Sequence, residues 1–200
     1  MSTEVMEIVQ RMDQRKLETQ FVLQCAPLIV GLKMSNLFMI SKKEIDSIRG
    51  LLTDSKISCF VLYTQNDRAA ILLYDKKKME HCLKKTNIRN FFENAGYCKT
   101  DLLYVLSVFR GRYQKYRRGE VEFPHELGLL LGYPIEDVEG FIRNKGKKFL
   151  YTGYWKVYDN VPAKKDLFRM YELAKETLIQ LVSNGVSMKE IMYAYSGNDL

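Results

Sequence analysis

Two apolar runs separated by three polar residues place the strongest constraint on the fold of this chain. The runs are ISCFVLYT (57–64) and RAAILLYD (68–75), and Gln65, Asn66 and Asp67 lie between them. Both runs are rich in β-branched and aromatic residues, which favour strands, and a short polar connection between such runs is typical of a β-hairpin. The chain is therefore expected to contain an antiparallel pair of strands.

Most of the remaining sequence has the periodicity of helices. In the first half of the chain, helices are expected at 5–12, from Leu17 to a kink or end at Pro27 or Gly31, at 41–56, and in three pieces over 75–118. In the second half, they are expected to begin at Pro124, at Pro134 and at about Pro162, with a last helix at 188–195. Further strands are expected at 36–41 and 149–159. These elements predict an α+β fold in a single domain over residues 1–200. Its small, mostly antiparallel sheet of about four strands would be covered by helices, and a long helix would lie near the C-terminus.

Composition and patterning place the chain among cytoplasmic globular proteins. It has 200 residues, of which 46% are hydrophobic and 28% charged, so it can bury a sizeable core. The longest apolar stretch, residues 21–40, is interrupted by Gln24, Pro27, Lys33 and Asn36, so no membrane span is predicted. The first residues carry both signs of charge and lack the apolar core of a secretory signal, which favours a cytoplasmic location.

The spacing of the cysteines argues against a metal site. The four cysteines, Cys25, Cys59, Cys82 and Cys98, fall singly, and no CxxC pair is present. His81 and Cys82 are adjacent, but neighbouring residues on a helix point about 100° apart, and no second pair would complete a tetrahedron. We therefore expect reduced thiols and no metal.

The stretch EFPHELGLLLGYPIEDVEGF (122–141) contains His125, one of two histidines, between Pro124 and Glu126. His125 and Glu126 are expected in the first turn of a helix. A neutral imidazole beside a carboxylate can act as a general base, anchor a ligand, or bind haem or a metal. The competing explanation is structural: a helix start in which backbone groups satisfy both side chains. The residues favour this second explanation, because no other catalytic motif accompanies them.

The stretch GYWKVY (153–158) offers a second candidate for ligand binding. Trp155 is the only tryptophan, and a glycine within a strand can mark the close approach of a ligand. These aromatics and the His125 helix start could line a pocket for a small anionic ligand or cofactor, with Trp155 and Lys156 in contact. Positive potential would come from nearby basic residues: Arg110, Arg112, Lys147 and Lys148. Alternatively, Trp155 is a core residue that packs on the closing helix.

The positive charge is unevenly distributed. The formal net charge is +7, and residues 109–118 carry five basic residues without an acid, while 142–165 carry seven against Asp159 alone. Tyrosines interleave with both segments, and this combination can bind phosphate backbones and stack bases. Residues 119–141 between them carry six acids and no Lys or Arg. The pattern is more typical of a solvated or self-complementary surface than of a nucleic-acid site.

Four motifs together carry a resemblance that covers nearly the whole chain: CAPLIVGLKMSNLF, FPHELGLLLGYPIEDVEGFI, NKGKKF and GYWKVY. With these motifs the chain resembles a family of bacterial domains of unknown function, found mainly in clostridia and related anaerobes and marked by a PHE motif. The resemblance implies no established activity, but it implies an association with flavodoxin and iron-transport genes. Members of that family often carry a cysteine directly before GYW, where this chain has Thr152.

These observations predict a binding or accessory module for a small anionic ligand, a cofactor or a protein partner, and the family resemblance implies a link to iron or redox metabolism. One alternative is an enzyme in which His125 is the general acid or base and Glu126 orients it. The other is a nucleic-acid-binding protein that uses the basic segments 109–118 and 142–165. The sequence identifies no particular cofactor.

Overall fold

A three-stranded antiparallel sheet lies at the centre of the computed structural model, which describes residues 1–196. Its strands are β1 (Ser35–Ser41), β2 (Ile57–Gln65) and β3 (Arg68–Asp75), in the order β1-β3-β2. The hairpin predicted from the two apolar runs is β2–β3, and this prediction is confirmed. Asn66 has a φ of 51° in its tight turn, a conformation that asparagine tolerates.

Helices cover both faces of this sheet. Across the described residues they are α1 (Thr3–Arg11), α2 (Leu17–Ile29), α3 (Ile45–Leu51), α4 (Lys76–Leu83), α5 (Thr86–Asn94), α6 (Leu102–Arg117), α7 (Glu126–Leu130), α8 (Ile135–Arg143), α9 (Val161–Ser183) and α10 (Met188–Ala194). None of these helices combines the length and the apolar character that crossing a bilayer requires.

Strand β3 is buried along nearly its whole length because both of its faces meet helices. Its alternate residues belong to two different cores. The first core packs against α1, α2, α3, α9 and α10, and the second against α4 to α8. The residues that β3 contributes are Ala69, Ile71 and Leu73 to the first core, and Ala70, Leu72 and Tyr74 to the second. The predicted α+β class is confirmed.

Residues 149–159 do not form the single strand that their alternation predicts. Two short strands, β4 (Tyr151–Thr152) and β5 (Lys156–Val157), pair with each other as a separate small hairpin. The N–H of Gly153 donates to the carbonyl of Trp155 at 3.1 Å and closes the turn. A third apolar cluster lies beneath this hairpin, where Trp155 and Val157 meet Phe168 and Tyr171 of α9.

Several predicted helix limits shift by a few residues. The segment 41–56 begins as a 3-10 turn, where the Ser41 N–H donates to the Glu44 carboxylate at 2.9 Å, and its α-helix ends at Leu51. Pro124 and Pro134 were expected at the first helical position, but α7 and α8 begin after them. Pro134 has a ψ of 140°, which is extended rather than helical, so it precedes the first turn.

Candidate functional site

A cavity of about 320 Å³ lies where α7 and α8 meet the β4–β5 hairpin. We call it the His125 cavity. Its lining is mostly aromatic and aliphatic: Phe123, His125, Leu127, Gly128, Leu131, Tyr133, Asp137, Val138, Phe141, Tyr154, Trp155 and Lys156. Three of the residues that the sequence singled out therefore share one cavity: His125, Trp155 and Lys156. A larger depression of about 750 Å³ beside α9 is more open and carries more charged side chains.

His125 is half-buried at the wall of this cavity. Its ring lies between Phe123 and Phe141, with a centroid separation of 5.6 Å from each. Within residues 1–196 neither ring nitrogen forms a hydrogen bond to another residue. The imidazole is therefore held by its aromatic neighbours rather than by hydrogen bonds within the described residues.

Glu126 points away from His125 and into the second core. Its carboxylate accepts hydrogen bonds from the hydroxyl of Tyr97 and from Nη1 of Arg112, both at 3.0 Å. Burial, followed by the charge of this carboxylate, raises the pKa of Tyr97. The Arg112 guanidinium also donates to the Ala95 carbonyl and lies 4.4 Å from the centre of the Tyr97 ring. Consecutive helical residues diverge by about 100°, so the structure does not bring Glu126 and His125 together.

Trp155 is buried between the cavity and α9. Its indole stacks on Tyr133 with centroids 4.7 Å apart and meets Phe168 edge-on at 4.5 Å. The indole N–H donates to Oδ2 of Asp137 at 2.7 Å. Trp155 therefore packs on α9, as expected for a core residue, and also lines the cavity.

Asp137 was not identified from the sequence, although it holds the hairpin in place. Besides the hydrogen bond from the indole, its Oδ1 accepts hydrogen bonds from the backbone N–H groups of Tyr158 at 2.7 Å and Asp159 at 3.2 Å. In sequence Asp137 is indistinguishable from Glu136 and Glu139, because all three are acids near the start of one helix. Only the buried position of Asp137, which is 2% exposed, separates them.

Lys156 is the one predicted cation that lines the His125 cavity. Its ammonium donates to the Gly146 carbonyl at 2.7 Å and lies 5.0 Å from the centre of the Phe149 ring. The other predicted cations lie elsewhere. Arg110 stacks over Phe60 of β2 and Arg112 is bound to Glu126, while Lys147 and Lys148 are exposed in the loop after α8.

The basic segments are joined to the acidic segment between them by ion pairs. Four such pairs lie within the described residues, with N···O distances of 3.0 Å for Arg112–Glu126, 2.5 Å for Arg118–Glu120, 2.7 Å for Lys164–Glu136 and 3.9 Å for Lys164–Asp137. Each joins a residue of 109–118 or 142–165 to one of 119–141. The clustered charge of the sequence is to this extent self-complementary.

Comparison with known families adds one result. The model of a family described as a protein of unknown function (DUF3793) matches residues 21–192. The chain belongs to this family. Comparisons with curated proteins and with solved structures gave no match. The matched range of this DUF3793 protein includes the whole lining of the His125 cavity.

The cysteines of this DUF3793 protein are all free thiols. Burial raises the pKa of the Cys25 thiol to about 12, which makes it a poor nucleophile. Cys98 is exposed, and the other two are partly buried. Among residues 1–196 no three His, Cys, Asp or Glu side chains cluster as metal ligands would.

Proposed function

We propose that this DUF3793 protein is a binding module for a small anion that carries an aromatic or apolar group. The observation that supports this most is the convergence of His125, Trp155 and Lys156 on one cavity with aromatic walls. Its volume of about 320 Å³ lies at the lower end of the range for ligand pockets, which suits a single substituted ring.

The chemistry of the lining divides the ligand into two parts. The rings of Phe141, Tyr133 and Trp155 would contact its apolar group. Lys156 uses one N–H for the Gly146 carbonyl, so two ammonium protons remain for a carboxylate or similar anion. The His125 imidazole would supply a further hydrogen bond.

The other functions considered have weaker support. Acid–base catalysis by His125 would lack its orienting carboxylate, because Glu126 is bound to Tyr97 and Arg112. Nucleic-acid binding would compete with the ion pairs of the basic segments. A cytoplasmic location and a link to iron or redox metabolism stay predictions. The link to iron or redox metabolism can be tested by native mass spectrometry and an absorbance spectrum of protein purified without oxygen, since either measurement would reveal a bound flavin or haem.

Trp155 is the only tryptophan, so its fluorescence reports directly on the cavity. Benzoate should change this fluorescence saturably, and Lys156→Met should weaken benzoate binding about tenfold through the lost charged hydrogen bond. Uncharged benzyl alcohol should bind wild type and Lys156→Met within about twofold of each other, because it makes little use of the ammonium. His125→Phe keeps an aromatic ring and removes both nitrogens, so it should also weaken benzoate.

The matched control is Lys148→Met, which removes an exposed lysine outside the cavity and should leave both affinities unchanged. Two results would count against the proposal. One is the absence of any saturable response to benzoate, and the other is an equal loss of benzoate and benzyl alcohol binding in Lys156→Met.

A further inference from the structure

A second depression, which we call the Lys33 cleft, lies between the end of α2, the α4 region and α9. Its volume is about 510 Å³. Four of its lining residues are lysines, one is a histidine, and none is an acid: Leu32, Lys33, Met34, Lys77, Lys78, His81, Cys82, Lys85, Gly132, Leu167 and Tyr171. It shares no lining residue with the His125 cavity, although two contacts lie between them: the Tyr133 ring is 5.7 Å from the Lys33 ammonium, and the rings of Tyr154 and Tyr171 are 5.0 Å apart.

Lys33 is the buried cation of this cleft, with 8% of its surface exposed. Its ammonium donates to Oδ1 of Asn36 at 2.9 Å, and within residues 1–196 no carboxylate forms an ion pair with it. A buried charge without a counter-charge is unfavourable, and burial lowers the pKa of Lys33 to about 8. An anion in the cleft would supply the missing counter-charge.

The α4 side of the cleft adds further positive charge. Lys77 and Lys85 are exposed there, and the Lys78 ammonium donates to the Gly31 carbonyl, which ties α4 to the end of α2. The acid of α4, Glu80, lies 3.9 Å from Lys76 and does not line the cleft. Several positively charged side chains along a cleft produce a positive potential that attracts multivalent anions.

We propose that the Lys33 cleft binds the phosphoryl group of a small phosphorylated molecule. Such a group carries between one and two negative charges near neutral pH and three strong acceptor oxygens, which suits several ammonium donors. Lysine is a common phosphate ligand that acts as a point charge. The apolar side of the cleft, formed by Leu32, Leu167 and Tyr171, would contact the rest of the molecule.

The test uses the full chain with pyrophosphate in chloride buffer of constant ionic strength. Affinity is measured by calorimetry and by the rise in melting temperature, since a ligand of the folded state stabilises it. Lys33→Met should weaken pyrophosphate binding at least about tenfold, as expected for the loss of a buried charged partner. Lys85→Gln changes an exposed residue and should weaken binding about two- to fivefold. Lys43→Gln, on the exposed turn before α3, is the matched control and should bind as wild type does.

The comparison of ligands tests the chemistry of the site. Acetate should bind far more weakly than pyrophosphate, and ADP should bind at least as tightly as pyrophosphate. No binding of pyrophosphate, or equal binding in wild type and Lys33→Met, would overturn the proposal. Acetate binding as tight as that of pyrophosphate would overturn the assignment to phosphoryl groups. ADP binding about tenfold weaker than pyrophosphate would overturn the assignment to a phosphorylated molecule, because the cleft would then prefer the free inorganic ion. None of these outcomes depends on the His125 cavity.

Discussion

A single carboxylate, Asp137, positions the segment that carries Trp155 and Lys156. It accepts three hydrogen bonds from residues 155–159, and the Lys164 ammonium lies 3.9 Å from its Oδ2. Its side chain is almost fully buried, so removing the carboxylate would leave the buried indole N–H without an acceptor and break two partly buried hydrogen bonds from backbone N–H groups. The geometry of the His125 cavity therefore depends on a residue that offers a ligand little contact of its own.

Asp137→Ala should lower the free energy of unfolding by about 3 kcal/mol, because it leaves the buried indole N–H of Trp155 and two partly buried backbone N–H groups without their acceptor. Urea denaturation followed by Trp155 fluorescence measures this change. Glu139→Ala is the matched control, since Glu139 is an exposed acid on the same helix, and its effect should stay within about 0.5 kcal/mol. Equal effects of the two substitutions would contradict the positioning role of Asp137.

The buried Lys33 ammonium predicts how stability depends on pH. Its pKa is about 8 in the folded protein and 10.5 when exposed, so between these values the unfolded chain binds more protons. The contribution of Lys33 to the free energy of unfolding should therefore rise with pH across this window, by an amount on the order of 3 kcal/mol. Below about pH 8 Lys33 is protonated in both the folded and the unfolded protein, so the folded state bears the full free-energy cost of burying its charge.

Lys33→Met should accordingly be more stable than wild type at neutral pH, and this advantage should shrink as the pH rises from about 8 to about 9.5. Urea denaturation at several pH values measures the difference. Burial also raises the pKa of Cys25 from 9.0 to about 12 and raises the pKa of Tyr154 and Tyr171, which lowers the stability of both proteins above about pH 9, so the prediction concerns the difference between them. Lys43→Met should follow wild type at every pH. A constant difference between Lys33→Met and wild type would contradict the prediction.

At the scale of elements, the β4–β5 hairpin is fitted closely to α9. A Cβ atom at Gly153 would lie 2.3 Å from the Phe168 ring, and one at Gly140 would lie 2.5 Å from Tyr158. Both glycines therefore allow close packing between elements rather than an unusual backbone conformation. Phe168 also contacts Trp155, so a displacement at this contact would reach the His125 cavity.

Gly153→Ala should lower the free energy of unfolding by about 2 kcal/mol, because the Phe168 ring has to move. The emission of Trp155 should shift in the folded state for the same reason. Gly111→Ala provides the contrast, since nothing lies within 4 Å of a Cβ at Gly111 in α6, and alanine there should stabilise by about 0.5 kcal/mol. A Gly153→Ala protein with wild-type stability and emission would refute the close fit.

The elements that the sequence predicts well are those whose pattern is local. The β2–β3 hairpin follows from two apolar runs and a turn at Asn66, and α9 follows from one apolar stripe. Residues 149–159 do alternate between apolar and polar positions, and this alternation predicts one strand. The turn at Gly153 that divides them into two strands is held by contacts with Phe168 and Asp137. These partners are distant in sequence and leave no local trace.

The candidate site was predictable to a similar degree. His125, Trp155 and Lys156 stood out by residue type, and the structure places them together. The orientation of Glu126 toward Tyr97 and Arg112 depends on how α7 packs against α6, which no local pattern reveals. Lys33 had a usable signal, since a single lysine inside the apolar stretch 21–40 is the pattern of a buried cation. Its charged neighbours at 77–85 come from another helix.

At the scale of the molecule, strand β3 divides the interior into two cores. Leu72 and Leu73 are adjacent and fully buried, yet Leu72 belongs to the second core and Leu73 to the first. Trp155 lies in neither, because it belongs to the cluster beneath the β4–β5 hairpin. The first two groups share the three-stranded sheet, and the third lies between the β4–β5 hairpin and α9.

Leu72→Ala and Leu73→Ala should each lower the free energy of unfolding by about 3 kcal/mol, since each leaves a cavity in a tightly packed core. If the chain is one domain, both substitutions should shift the urea transition of Trp155 fluorescence and that of far-ultraviolet circular dichroism together. If fluorescence and circular dichroism gave different transition midpoints in either protein, the two sides of the sheet would unfold independently.

The burial of β3 on both faces also limits the changes that evolution can make there. A substitution in β3 alters one core, but inserting or deleting a single residue would send every following side chain to the opposite face. The small alanines 69 and 70 and the large residues that follow would then exchange environments on both sides of the sheet at once. We expect homologues to vary in length at exposed turns such as 119–122 and to keep the length of this strand unchanged.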